Sequence, residues 1–110
     1  MTGNEYQQLA LRTRNTKLSK EETLINGAMG LCGESGEVID LLKKHLHHGH
    51  PLDRERMLKE LGDVAWYLAE TAYALDYDLE TVLQKNIEKL KERYPEGFSE
   101  ERSLHREEAQ

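Results

Sequence analysis

Apolar residues recur at helical spacing through most of the chain, and no stretch alternates with the two-residue period of a strand. Plotted at about 100° per residue, Leu24, Ala28, Leu31, Val38, Leu42 and Leu46 form one stripe, with Ser35 among them. Met57, Leu61, Val64, Leu68, Ala72 and Leu75 form a second, and Leu79, Leu83, Ile87, Leu90 and Tyr94 a third. Thr2-Gly3-Asn4-Glu5 reads as a capping box for a short first helix whose Tyr6, Leu9 and Ala10 face inward. After a connection at Asn15 to Leu18, Ser19-Lys20-Glu21-Glu22 opens a long helix reaching about His48. Gly49-His50-Pro51 stops it, and Asp53 caps a third helix over about Arg54 to Leu75. A break at Asp76-Tyr77-Asp78 precedes a fourth, from about Leu79 to Tyr94, closed by Pro95-Glu96-Gly97. The pattern predicts an all-α, four-helix domain over residues 1–97 and a charged tail over 98–110.

Helix two carries Gly27, Gly30, Gly33 and Gly36, although each glycine disfavours a helix interior by about 1 kcal/mol relative to Ala. The spacing of three predicts a shallow groove that admits another backbone or a ligand. Beside it lie Glu34 and Glu37, and helix three holds the echo Glu60 and Asp63. Glu34 sits about 80° to one side of its stripe and Glu60 about 60° to the same side, with Glu37 and Asp63 beyond. Facing helices would gather four acids in one cleft, where like charges repel unless protons or cations neutralise them. Hard divalent cations prefer oxygen ligands, so a carboxylate metal site between two helices is expected.

On helix four, Lys89 and Arg93 stand a turn apart at the stripe's edge, and Asn86 falls within the stripe, where a buried amide needs partners. The two cations are either ion-pair partners of the acids or ligands for phosphates; beside four acids, phosphate binding is the better reading. Trp66 and Tyr67 either line a base pocket or belong to the core, and Trp66 lies opposite its helix's stripe. His45, His47, His48 and His50 suit the negative end of a helix dipole better than a convergent metal site.

Composition narrows the picture. Charged residues are 33% and hydrophobic ones 37%, which suits amphipathic helices and a small core that gains from oligomerisation. The net charge of −6 argues against binding a nucleic-acid polymer. The lone Cys32 allows no internal disulfide and reads as a packed small residue, and no apolar run reaches membrane-span length. A cytoplasmic protein is expected.

The strings Leu31-Cys32-Gly33-Glu34-Ser35-Gly36-Glu37, Glu60-Leu61-Gly62-Asp63-Val64-Ala65-Trp66-Tyr67 and Asn86-x-x-Lys89-x-x-x-Arg93-Tyr94-Pro95 resemble the MazG-like nucleoside triphosphate pyrophosphohydrolases. The resemblance covers roughly residues 5 to 98. It implies a helical dimer or tetramer, Mg²⁺ or Mn²⁺, and cleavage between the α and β phosphates to a nucleoside monophosphate and pyrophosphate. By position it implies Glu34, Glu37, Glu60 and Asp63 as metal ligands, with Glu34 or Glu37 acting on the attacking water. Asn86, Lys89 and Arg93, with Lys43 or Lys44, would meet the phosphates, and Tyr94 and Trp66 would complete the substrate contacts. The related phosphoribosyl-ATP pyrophosphohydrolases and a non-catalytic nucleotide-binding bundle are the alternatives.

Overall fold

A computed structural model describes residues 1–105, so the last five positions of the expected tail lie outside the described residues. Every described element is helical: α1 (Gly3–Ala10), a 3₁₀ turn (Leu11–Thr13), α2 (Lys20–His47), α3 (Arg54–Ala74), α4 (Leu79–Arg93) and α5 (Glu100–Leu104). The all-α expectation holds, with five α-helices where the pattern predicted four. The extra helix lies in the segment read as a tail. Ser99 accepts from the Arg102 N–H at 3.2 Å, and Glu100 and Glu101 complement the dipole of its first turn.

Boundaries follow local chemistry. Thr2 and Ser19 both form complete capping boxes, and Asp53 accepts from the Arg56 N–H at 3.0 Å. Helix α3 ends in a Schellman motif, with the Tyr77 N–H on the Ala72 carbonyl and the Asp76 N–H on that of Tyr73. Asp76 occupies the left-handed position at φ 64°, which a short polar side chain tolerates.

The chain divides into two compact units, Met1–Leu79 and Glu80–Gln110. In the first, α2 and α3 form an antiparallel hairpin. Its register is read from Lys20–Asp76, Asn26–Glu70, Gly27–Thr71 and Gly30–Tyr67. A Cβ on Gly27 would lie 3.1 Å from the Thr71 backbone nitrogen, and one on Gly30 would collide with the Tyr67 ring. The four glycines do not form one groove, because Gly33 and Gly36 would meet nothing within 4 Å. Positions nine apart on a helix of about 3.6 residues per turn face opposite ways, so Gly27 and Gly36 cannot share a surface.

The small-residue face of α2 makes the closest approach to α3, with the leucine stripe beside it. Thr23 and Gly27 are buried, Leu24, Leu31, Val38 and Leu42 of the predicted stripe are half-buried, and Ala28 and Leu46 are exposed. The core of α3 is Ala69, Glu70, Ala72 and Ala74. Helix α1 also departs from its pattern, since Leu9 is exposed and Gln7 is buried. The Gln7 amide donates to the Ala69 and Tyr77 carbonyls and accepts the Leu79 N–H at 2.9 Å. An apolar side chain there would strand these backbone groups.

In the second unit, the Tyr94 ring lies 5.4 Å from that of Phe98, across the turn closed by the Gly97 N–H on the Tyr94 carbonyl. Asn86, expected inside the α4 stripe, is exposed and needs no buried partner.

Candidate metal centre

Beyond Gly30 the hairpin interface changes from small and apolar to acidic. The same register that sets Gly30 against Tyr67 sets Glu34 opposite Glu60 and Asp63, one helical turn farther on. One carboxylate oxygen from each of the three lies within 4.8 Å of the others. Glu34 and Glu60 are half-buried and Asp63 is exposed, so the trio opens to solvent on one side. Glu37 stays outside it, exposed, a turn along α2. Three of the four expected acids converge.

Electrostatics reports the same crowding. The Glu34 carboxyl is pushed above its ordinary value of 4.5, first by a hydrogen bond with the Glu60 side chain, then by partial desolvation and the charges of Asp63, Glu60 and Glu37. Carboxylates crowded in this way are suited to a hard divalent ion with oxygen ligands. Tyr6 of α1, overlooked in the sequence except as an inward-facing ring, also feels this centre. Burial and then the Asp63 charge raise its hydroxyl pKa. No spacing relates position 6 to position 63, so only the fold could show it.

Trp66 holds α1 against this region. Its indole N–H donates to the Ala10 carbonyl at 2.9 Å and to the Thr13 hydroxyl at 3.0 Å, and its ring meets that of Tyr67 edge-on. Lys43 and Lys44 both bind Asp40, at 3.1 and 2.8 Å. Lys44 first and Lys43 second hold the Asp40 carboxyl below its usual value. In the second unit Lys89 is exposed, and Arg93 is half-buried with its Nε enclosed and without a hydrogen-bond partner among the described residues. Tyr94 is half-buried.

The carboxylates lie within a recognisable sequence signature: that of the MazG nucleotide pyrophosphohydrolase domain matches residues 20–98. The chain belongs to the MazG nucleotide pyrophosphohydrolase family. Its MazG region includes both acidic helices and α4, and leaves out α1 and the 3₁₀ turn, which supply Tyr6, Gln7 and the acceptors for Trp66. Gene 37 protein of Mycobacterium phage L5 is 42% identical over 73 residues, which span 63% of this chain and 64% of that protein. The match thus spans somewhat under two thirds of the phage protein's length. No solved structure matches. No helix among the described residues is long and apolar enough to cross a membrane.

The histidine run does not converge. The grouping of metal-binding side chains found among the described residues is the acidic trio. His45 Nδ1 instead meets the His50 carbonyl at 2.8 Å and ties the end of α2 to the following turn. Cys32, expected to be packed, is exposed, because its position faces away from α3.

Proposed function

We propose that this MazG-family protein is a metal-dependent nucleoside triphosphate pyrophosphohydrolase that cleaves the α–β phosphate bond, giving a nucleoside monophosphate and pyrophosphate. The convergence of Glu34, Glu60 and Asp63 within the family's own region carries the reading. Mg²⁺ or Mn²⁺ suits this donor set, and when bound would neutralise phosphate charge and acidify a water molecule. Glu34, Glu60 and Asp63 would hold the ion, with Glu37 completing the ligand set or, like Glu34, orienting the water. Asn86, Lys89 and Arg93 would meet the phosphates and stabilise the departing pyrophosphate, and Lys43 or Lys44 would add charge. Tyr94 and Trp66 would complete the substrate contacts.

The active form is read as a cytoplasmic homodimer or homotetramer. Ile25, Met29, Cys32, Gly36, Ile39, Lys43 and Leu46 follow a four–three spacing along α2, and Ile25, Met29, Ile39 and Leu46 are all more than half exposed. On α3, Leu58 and Leu61 are exposed as well. So much apolar surface fits a second copy. The decisive assay offers canonical and modified nucleoside triphosphates with Mg²⁺ and measures pyrophosphate release. Binding without release would leave the non-catalytic alternative, and selective turnover of phosphoribosyl-ATP would favour the other.

A further inference from the structure

Of the fifteen Lys and Arg residues in this acidic chain, five lie between positions 43 and 59, with only two of the twenty-one acids and four of the five histidines. The fold gathers this segment at one place, the tip of the α2–α3 hairpin, where α2 ends at His47 and α3 begins at Arg54. A cavity of about 590 Å³ opens there, bordered by Lys44, His50, Arg54 and Arg56. Asp53 and Glu55 also border it, so its lining sets three cations, Lys44, Arg54 and Arg56, against two acids, of which Asp53 is held on the Arg56 backbone N–H. One Asp40 carboxylate serves both Lys43 and Lys44, which leaves positive charge in excess. Arg54 and Arg56 have no ion-pair partner among the described residues. The turn itself is fixed: the His48 and His50 N–H groups both donate to the Lys44 carbonyl, Gly49 takes φ 73°, and His45 holds the His50 carbonyl.

Position gives this pole its meaning. Arg56 precedes Glu60 by one turn, about 6 Å of helix axis, and Lys44 follows Glu34 by about 15 Å. An approaching polyphosphate meets repulsion at Glu34, Glu60 and Asp63 unless cations stand beside them. We propose that the hairpin tip, with Lys44, His50, Arg54 and Arg56 around its cavity, binds the phosphate chain of the nucleotide and draws it to the adjacent carboxylates. This rests on the reading above that a nucleotide is the substrate. The guanidinium pair supplies planar, charge-assisted donors that suit phosphate oxygens.

The test is calorimetric titration of inorganic tripolyphosphate into the metal-free full chain at low salt. Arg54→Gln/Arg56→Gln should weaken binding about tenfold, as expected for losing charge-assisted contacts. Arg12→Gln/Lys17→Gln removes the same net charge elsewhere and should weaken it less than about twofold. Equal weakening in both double variants, unchanged binding in the tip variant, or no binding by the unaltered protein would each overturn the proposal. Pyrophosphate release by the unaltered protein is scored separately. Its absence would remove the catalytic reading and leave the tripolyphosphate result standing, whereas turnover with unchanged binding in the tip variant would remove only this inference.

Discussion

Two stretches of one helical hairpin use the same residue types to opposite ends. Around Gly27 and Gly30 the backbones approach so closely that the Thr71 main chain and the Tyr67 ring fill the space a methyl group would need. Around Gly33, Gly36 and Gly62 a methyl group would meet nothing within 4 Å. The closed half is tied by the Asn26 amide on the fully buried Glu70 at 2.8 Å, and the open half presents three carboxylates to solvent. Close packing in one half sets the register that lines up the acids in the other. Acids on a loosely packed pair of helices would drift apart under their own repulsion.

The comparison is broken most severely at the open half. Asp63→Asn should lower kcat/KM by more than about 100-fold, beyond the 10–100-fold typical of losing a ligand's supporting hydrogen bond. The same variant should melt no lower than the unaltered protein without metal, since it relieves crowding. Near-normal turnover at saturating Mg²⁺ would contradict the assignment. Arg93→Ala asks whether α4 supplies a phosphate contact to the reaction. It should lower kcat/KM by about ten- to a hundredfold, the range for one charge-assisted hydrogen bond, with Mn²⁺ affinity unchanged when no nucleotide is present. Tighter Mn²⁺ binding with unaltered turnover would instead make Arg93 a partner of the acids.

Substituting the glycines tests the packing contrast directly. Gly30→Ala should destabilise by about 1–3 kcal/mol through overpacking, read by denaturant unfolding. Gly33→Ala should stabilise by up to about 1 kcal/mol through helix propensity alone. Similar effects at both positions would erase the distinction between the halves.

The smallest effect is one of pH. A raised Glu34 pKa means that the folded state holds its proton more tightly than the unfolded chain does. That contribution is complete below the ordinary value of 4.5 and is lost as pH rises through the higher folded value. The metal-free protein should therefore lose Tm relative to Glu34→Gln as pH rises from 4.5 upward. A difference independent of pH would mean that folding does not raise the Glu34 pKa.

Much of this was legible before folding. Capping boxes at Thr2 and Ser19 and the cap at Asp53 set helix starts within a residue, because each depends on neighbours close in sequence. Faces were harder. Periodicity ranks residues by hydrophobicity, so it centred the buried face of α2 on the leucine stripe, which is half-buried at Leu24, Leu31, Val38 and Leu42, whereas the closest approach falls beside it at Thr23, Gly27 and Gly30. It also set Leu9 inward where the backbone groups at Ala69, Tyr77 and Leu79 require the Gln7 amide. The acid pairs stood out by spacing, but which three converge depends on the hairpin register, and that is set by contacts forty residues apart.

The most direct test of the central claim is calorimetric titration of Mn²⁺ into the unaltered protein, Glu34→Gln and Asp63→Asn, repeated in buffers of different ionisation enthalpy just above pH 4.5. Binding to the unaltered protein should release a proton as the ion displaces it from Glu34, whose pKa its neighbours raise. Glu34→Gln should bind more weakly without that release, and Asp63→Asn more weakly with it. Equal Mn²⁺ affinity in all three would show that the ion does not sit between these carboxylates.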